Sequence, residues 1–242
     1  MFSKLVKDFF KSHIAPDTEG IRERWTIDRL KKLPPGSIID VGAGEMPYKH
    51  FCGHLKYTSQ DFGKYGGNTK TGILSGKYNS KNVDIISDIT KIPVKNNSFD
   101  YVLCTEVFEH IPDPLTALKE LSRINKKGGK LILTAPFASM THFYPYFFYS
   151  GFSEQFYRIN LSRFGYSIKE LYIFGNYFDW LALEIVRLPY LVFRYSKITS
   201  ILLTVTILLS LPLFLFLRIA SKIFPQSKDI LSFGICVVAI KN

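Results

Sequence analysis

The fold is decided by Ile38-Ile39-Asp40-Val41-Gly42-Ala43-Gly44. Apolar β-branched residues run into an acid and a Gly-x-Gly turn follows at once. This is typical of a buried parallel strand that ends where the backbone passes close to a ligand. Glu45 to Pro47 come next, so the chain lacks the third glycine of a dinucleotide-binding loop and the Gly-Lys-Ser/Thr end of a phosphate-binding loop. On this stretch alone, an ordinary strand-to-helix turn is the alternative.

Acids at the ends of predicted strands limit the class of ligand that the site could bind. Asp40, two residues before Gly42, suits a cofactor that carries a positive charge and a ribose but no phosphate. S-adenosylmethionine is such a cofactor. Lys56 to Asp61 is predicted as a second strand, and Asp61 has about the spacing from the glycines at which an acid accepts hydrogen bonds from ribose hydroxyls. Further strands are predicted at residues 83–89, 98–104 and 130–136, with a helix at 114–124. Their alternation predicts a parallel sheet with its ligand at the carboxyl ends of the strands.

Six motifs then follow one another along the chain. They are Asp-Val-Gly-Ala-Gly at 40–44, Gln-Asp at 60–61, Ser-Asp-Ile at 87–89, Phe-Asp-Tyr-Val at 99–102, Glu-Val-Phe-Glu-His-Ile-Pro-Asp-Pro at 106–114 and Lys-Lys-Gly-Gly-Lys-Leu at 126–131. In this order they resemble class I S-adenosylmethionine-dependent methyltransferases, over roughly residues 33–177 and again at the C-terminal strand. The resemblance implies an α/β fold with a doubly wound, mostly parallel seven-stranded sheet whose last strand is antiparallel.

The resemblance also implies a cofactor site. Asp40, Gly42 and Gly44 would form the cofactor loop, Asp61 would hold the ribose, Asp88 and Ile89 would face the adenine, and Glu106 would lie near the methionine moiety. For each acid taken alone, a solvated side chain at a strand end is the alternative.

The chemistry asks for few side chains. Methyl transfer is an in-line displacement at a sulfonium carbon, so the protein must align the reacting atoms, exclude water and accept a proton if the acceptor is a hydroxyl. His110 and His142 are the candidate proton acceptors, although His110 could instead only line the cofactor pocket. His142 belongs to an aromatic segment, residues 136–152, which is expected over the carboxyl edge of the sheet. It would serve as an acceptor lid or as a wall shared with an apolar insert, and simple loop packing is the alternative.

Composition limits the partners and the compartment. The chain has 242 residues, which suit one domain with a single core, and a formal net charge of +11. The lysines are spread out and no recognised nucleic-acid-binding motif occurs, so no nucleic-acid partner is predicted. Cys52, Cys104 and Cys236 are odd in number and widely spaced, which predicts neither a disulfide framework nor a metal site and fits a reducing cytoplasm.

The N-terminal segment, residues 1–32, is expected to be helical and amphipathic. Charges interrupt it before an apolar run develops, so a signal peptide is not predicted. Phe2, Leu5, Val6, Phe9 and Phe10 recur at helical spacing. The helix is expected either to pack as a lid on the cofactor domain or to lie on a membrane surface.

An apolar insert, residues 180–230, divides the predicted methyltransferase domain into residues 33–179 and 231–242. Residues 198–217 are uncharged over 20 positions and as a helix would be about 30 Å long, enough to span a bilayer. A simple single span conflicts with the prediction that residues 232–241 return to the sheet as its last strand.

The insert is therefore expected to leave and return on one side of the membrane. One solution is a helical hairpin with arms at residues 180–197 and 198–223, kinked or broken at Pro189 and Pro212. The other is a pair of helices lying in the interface. A buried dimer interface is the alternative to both, because so apolar a patch would not be left in water.

Together these features predict an S-adenosylmethionine-dependent methyltransferase at the cytoplasmic face of the membrane. Its acceptor would be a lipid-linked sugar or another amphipathic molecule, as in similar bacterial enzymes of surface-polysaccharide or glycolipid assembly. Membrane lipids are the other predicted partners, and the apolar insert could support a homo-oligomer. The alternatives are a methyltransferase acting on a small lipid or quinone, and a non-catalytic membrane-bound scaffold.

Overall fold

A computed structural model of the chain describes residues 17–65, 72, 82–195 and 200–242. The chain divides into two compact units. One contains Arg22–Tyr172 and Gly234–Asn242, and the other contains Ile173–Phe233 together with the described residues before Arg22. The predicted amphipathic stripe of residues 2–10 lies outside the described residues.

Seven strands form a single sheet. They are β1 (Ser37–Val41), β2 (Lys56–Asp61), β3 (Ile85–Ile86), β4 (Phe99–Thr105), β5 (Asn125–Pro136), β6 (Tyr166–Phe174) and β7 (Gly234–Lys241). The order across the sheet is β3-β2-β1-β4-β5-β7-β6. β1 is parallel to β2 and β4, β2 to β3, and β4 to β5, whereas β7 runs antiparallel to β5. The predicted fold class, a mostly parallel doubly wound α/β sheet with an antiparallel last strand, is confirmed.

Five α-helices complete the described elements. They are α1 (Thr18–Lys31), α2 (Pro114–Ile124), α3 (Glu154–Arg163), α4 (Tyr177–Tyr195) and α5 (Ser200–Ile223), with 3-10 turns at Lys49–Cys52, Phe108–His110 and Pro225–Asp229. The predicted helix at 114–124 is confirmed to the residue because its start is encoded locally. The Asp113 carboxylate accepts a hydrogen bond from the Thr116 amide at 3.0 Å, and Pro114 occupies the first turn, where its missing N–H costs nothing.

The centre of the sheet is buried on both faces. Ile38, Ile39 and Val41 of β1 are fully buried, as are Leu103 of β4 and Leu131 of β5. Continuous apolar runs are what a parallel sheet covered on both sides requires. β7 lies between β5 and β6. All three cysteines are buried with free thiols.

Two strands differ by five residues from their predicted extent. β3 has two residues instead of the seven at 83–89, and beside it the Ser59 amide of β2 donates to the side-chain carboxylate of Asp84 at 2.8 Å. β5 begins at Asn125, five residues before the predicted start, and its pairing with β4 shifts register between Phe99 and Tyr101. The shift accommodates the Gly128-Gly129 pair, where Gly128 has a φ of 73°.

In the second unit, α4 and α5 pack against each other. Ala182 of α4 and Phe214 and Leu217 of α5 form its buried core. Arg218 donates to Asp179 at 2.7 Å, which adds an ion pair between the helices. Both helices run through their prolines, so of the predicted kink or break at Pro189 and Pro212, the break is wrong. Phe214, in the turn that follows Pro212, packs in the buried core shared with α4. Among the residues whose side chains the structure describes, no helix is long and apolar enough to cross a membrane.

Candidate active site

The candidate site lies at the point where the strand order reverses. β1 has β2 on one side and β4 on the other, so the loops that follow β1 and β4 diverge and leave a crevice at the carboxyl edge. Gly42 and Gly44 have φ angles of 72° and 55°. A Cβ on Gly42 would lie 2.3 Å from Cγ2 of Val107, which follows β4. The predicted cofactor loop therefore depends on glycine at position 42 for both its conformation and its close approach to the next loop.

Asp61 is joined directly to the glycine loop. Its Oδ2 accepts a hydrogen bond from the Gly44 amide at 3.1 Å, and its Oδ1 accepts one from the Gly63 amide at 2.9 Å. A carboxylate oxygen has a second lone pair, so each oxygen can accept one more hydrogen bond. The residue is buried at the carboxyl end of β2. Its position and acceptor capacity fit the predicted role of holding ribose hydroxyls.

Asp40 lies beneath the loop rather than at its surface. The Tyr57 hydroxyl donates to Asp40 Oδ2 at 2.6 Å, and the Asp40 side chain is buried. Burial raises the pKa of Asp40 to about 7, the Tyr57 hydrogen bond opposes this, and the negative charge of Asp61 adds to it. Asp40 therefore changes charge near neutral pH, in a position where a cationic cofactor would favour its ionised form.

Asp88 and Ile89 follow β3 at the same edge. Asp88 is exposed, and its Oδ1 accepts hydrogen bonds from the amide and hydroxyl of Thr90 at 2.8 and 2.7 Å. Ile89 is buried. The Ser87 amide donates to the Asp61 carbonyl at 3.0 Å and holds this segment beside β2. The structure thus brings Asp88 and Ile89 to the edge that carries Asp61.

Glu106 follows β4 in the left-handed region, with a φ of 54°. Such a conformation is costly for a residue with a side chain and is concentrated at functional sites. The carboxylate accepts hydrogen bonds from Arg22 Nη1 at 2.9 Å and from the Thr134 hydroxyl at 3.0 Å. Arg22 was not predicted, because it belongs to no motif and comes from helix α1, far away in sequence.

The two candidate proton acceptors lie side by side. The ring centroids of His110 and His142 are 4.8 Å apart. His110 Nδ1 lies 2.7 Å from the Tyr146 carbonyl and His142 Nδ1 lies 2.8 Å from the Met140 carbonyl. A carbonyl can only accept, so Nδ1 carries the proton in both rings and Nε2 does not when the ring is neutral. Burial and the neighbouring His142 lower the pKa of His110 to about 4.

Glu109 completes this group and was not selected from the sequence. Its side chain is only 1% exposed, and its Oε1 lies 3.5 Å from His110 Nε2 and 3.9 Å from His142 Nε2. Burial, with the nearby charge of Glu106, raises the pKa of Glu109 well above its usual range. The available sequence signal was an acid next to a histidine at a strand end, which does not reveal burial.

The aromatic segment 136–152 folds over these residues. The Phe148 and Tyr149 amides donate to the Glu109 carbonyl at 2.9 and 3.3 Å. Phe143 packs on Tyr65 with 4.8 Å between ring centroids, at the end of the segment that follows β2. The predicted location over the carboxyl edge is therefore what the structure shows.

Comparisons with known proteins agree with this geometry. A family model described as a methyltransferase domain matches residues 68–133. The chain is 32% identical over 123 residues to a demethylmenaquinone methyltransferase from Renibacterium salmoninarum, covering 47% of this chain and 48% of that protein. It is 30% identical over 139 residues to a ubiquinone biosynthesis O-methyltransferase from Colwellia psychrerythraea, covering 52% and 50%. The chain thus spans about half the length of the curated relatives it matches.

The fold is also similar to a solved structure. A Listeria monocytogenes protein, described as a candidate S-adenosylmethionine-dependent methyltransferase, has a TM-score of 0.53 and 13% identity, with coverage of 93% of this chain and 100% of that one. At this identity the likeness concerns the fold alone. The strand order, the glycine loop joined to Asp61 and the match over residues 68–133 give the chain the fold of the class I S-adenosylmethionine-dependent methyltransferases.

Proposed function

We propose that the protein transfers a methyl group from S-adenosylmethionine to an amphipathic acceptor at the cytoplasmic face of a membrane. The observation that carries the methyl-donor part is the 3.1 Å hydrogen bond from the Gly44 amide to Asp61 Oδ2. It joins the turn after β1 to the acid after β2, the two features that a ribose-bearing cofactor needs at one edge of the sheet.

The residues present fit this cofactor. Gly42 leaves the backbone uncovered, Asp61 keeps acceptor capacity for ribose hydroxyls, and Asp88 presents an exposed carboxylate after β3. Positive charge on the ligand would be favoured beside the carboxylates of Asp40 and Glu106. When bound, S-adenosylmethionine supplies an electrophilic methyl group on a sulfonium.

The aromatic segment 136–152 would exclude water from the site, and a histidine would accept a proton from the acceptor. The aromatic segment 136–152 covers the Glu109 backbone through the Phe148 and Tyr149 amides and presents Phe143 and Phe147 beside the histidine rings. With Nδ1 donating to a backbone carbonyl, Nε2 of His110 or His142 is the atom that could take a proton from an acceptor hydroxyl.

An exposed apolar surface supports the membrane location. Among the described side chains of α5, the exposed large apolar ones are Val205, Leu209, Leu211, Leu213, Leu215, Phe216, Ile219 and Ile223. Phe216 is 62% exposed and Leu209 is 74% exposed. An apolar patch of this kind usually marks an interaction site, and the exposed Lys222 and Lys228 nearby in the sequence favour an anionic headgroup region. A second copy of the chain is the other occupant to be tested.

Two acceptor classes follow from the amphipathic requirement. A lipid-linked sugar is the first, on the similarity to enzymes of surface-polysaccharide and glycolipid assembly. A quinone with a lipid tail is the second, and the relatives named for demethylmenaquinone and ubiquinone methylation favour it. Both would present a polar acceptor atom from a membrane.

The first experiment measures the cofactor and then the product. S-adenosylmethionine and its demethylated product are titrated calorimetrically into detergent-purified protein, with Asp61→Ala as the binding-deficient control. Wild-type protein is then incubated with methyl-labelled cofactor and bacterial membranes, and labelled lipids are extracted and identified by mass spectrometry. Label on a sugar released by mild acid supports the first class, and label on a quinone supports the second. Absence of cofactor binding by folded protein contradicts the proposal and favours a scaffold.

A further inference from the structure

Three potential metal ligands meet beneath the aromatic segment. One ligand atom from each of Glu109, His110 and His142 lies within 4.8 Å of the other two. Glu109 Oε1 is 3.5 Å from His110 Nε2 and 3.9 Å from His142 Nε2. The 3-10 turn after β4 supplies the first two residues, and the aromatic segment supplies the third. All three belong to the same compact unit.

Glu109 lacks the partners that a buried carboxylate needs. Among the residues that the structure describes, neither of its carboxylate oxygens has a hydrogen-bond partner. Leaving such a group buried and unsatisfied is energetically costly. The nearby positive charge of Arg22 is already paired with Glu106 at 2.9 Å. The site therefore holds a buried carboxyl group without a hydrogen-bond partner among the described residues, and a bound cation would stabilise its ionised form.

The two histidines are oriented as ligands. Backbone carbonyls of Tyr146 and Met140 accept from Nδ1 of His110 and His142, which fixes each ring with Nε2 on the side of Glu109. Metal-binding histidines have this arrangement, in which the second ring nitrogen donates to a carbonyl or carboxylate and sets the tautomer. Phe143 and Phe147 pack on the rings, with centroid separations of 5.1 Å for His110–Phe143 and for His142–Phe147.

We infer that Glu109, His110 and His142 bind one divalent transition-metal ion through a carboxylate oxygen and the two Nε2 atoms. Two imidazoles and one carboxylate form a ligand set used by zinc and by non-haem iron. Bonds of about 2.1 Å in tetrahedral geometry separate the ligand atoms by about 3.4 Å. The two Glu109–histidine distances, 3.5 and 3.9 Å, are about 0.1 and 0.5 Å wider, and all three ligand atoms lie within 4.8 Å of one another, so binding would draw the three side chains closer together.

The site would leave a coordination position open. Three protein ligands are the number found in catalytic zinc sites, where the fourth position takes water or substrate. Here that position would take an oxygen of the acceptor. This role of the metal rests on the proposed function, whereas metal binding itself does not. An Nε2 atom bound to a metal cannot accept a proton, so metal binding and the proton-acceptor role exclude each other at the same histidine.

The test uses tag-free full-length protein, dialysed against chelator and kept free of S-adenosylmethionine. Zn²⁺ is titrated calorimetrically, and Co²⁺ is added separately because its visible spectrum reports coordination by nitrogen and oxygen. Wild-type protein is expected to bind about one ion, which raises its melting temperature. Glu109→Gln and His142→Ala should each weaken binding at least about 10-fold, the lower end of what even outer-shell changes cost. His50→Ala, which removes an exposed histidine outside the site, should bind as wild type does.

Circular dichroism and melting temperatures without metal establish that the variants fold. Loss of Zn²⁺ binding in folded Glu109→Gln and His142→Ala, with His50→Ala unaffected, supports the site. Absence of saturable binding by wild-type protein, or equal binding by all four proteins, overturns it. A separate titration with S-adenosylmethionine distinguishes the two proposals, because cofactor binding without metal binding removes this inference and leaves the methyltransferase function standing.

Discussion

The amide of Gly44 donates a hydrogen bond to the carboxylate of Asp61, 17 residues further along the chain, with 3.1 Å between nitrogen and oxygen. The second Asp61 oxygen accepts from Gly63 at 2.9 Å. One acid therefore holds both the glycine turn after β1 and the turn after β2. Under the proposed function, the same side chain would also bind the ribose.

Asp61→Asn should weaken S-adenosylmethionine binding about 10- to 100-fold. Hydrogen bonds to a charged acceptor are worth about 1.5–3 kcal/mol, and the amide keeps only one acceptor oxygen. Calorimetric titration measures the change. The matched control is Asp113→Asn, since asparagine caps α2 as well as aspartate does. Wild-type affinity in Asp61→Asn would contradict the ribose assignment.

Gly42→Ala should destabilise the protein more than Gly128→Ala does. The two glycines have nearly the same φ, 72° and 73°, so both substitutions carry the left-handed cost of about 1–2 kcal/mol. Only at position 42 would the new Cβ meet a neighbour, Val107 Cγ2 at 2.3 Å, whereas nothing lies within 4 Å of a Cβ at position 128. Urea denaturation measures the difference.

A double variant tests whether the contact between a Cβ at position 42 and Val107 causes the extra loss of stability. Val107→Ala combined with Gly42→Ala should recover much of the extra loss, because it removes the two methyl groups that the new Cβ meets. Equal destabilisation by Gly42→Ala and Gly128→Ala would show that backbone conformation alone sets the requirement for glycine.

Asp40 should make the protein less stable as pH rises. Its folded-state pKa is raised to about 7, whereas an exposed aspartate has a pKa of about 3.9, so the folded state binds this proton more tightly than the unfolded state. The stability it contributes is complete below about pH 4 and is lost as pH rises through 7. Asp40→Asn, which still accepts from Tyr57, should flatten this part of the profile. Urea midpoints between pH 4 and 8 test it, and equal slopes for both proteins would refute it.

Two neighbouring residues of α5 should separate folding from membrane binding. Leu217 is 5% exposed and lies in the α4–α5 core, so Leu217→Ala should cost about 2–5 kcal/mol. Phe216 is 62% exposed, so Phe216→Ser should change stability by about 0.5 kcal/mol or less yet reduce binding to anionic phosphatidylglycerol vesicles. Thermal unfolding and vesicle cosedimentation measure the two effects. Wild-type vesicle binding by Phe216→Ser, with dissociation of a dimer in sedimentation velocity, would identify the surface as a dimer interface.

The sequence by itself determined the elements whose signals are local. The strand at 56–61 and the helix at 114–124 appear with their predicted bounds. For the helix, the reason is that an aspartate cap and a proline in the first turn act over a few residues. The glycine turn after β1 could also be predicted from the sequence. Glycine suits it because the backbone at position 42 is left-handed and lies too close to Val107 for a Cβ. The order of the motifs then predicted the sheet.

Tertiary structure decided what depends on burial and on distant contacts. Arg22 reaches Glu106 across 84 residues, and His142 reaches Glu109 across an intervening helix and strand. Nothing in the local pattern indicates that the two carboxyl oxygens of Glu109 are buried without a hydrogen-bond partner among the described residues, or that Tyr57 donates to Asp40. The charge and ligand chemistry of these groups follows from desolvation and from the few ångströms that separate their atoms, and both arise only when the strands and the aromatic segment are packed together.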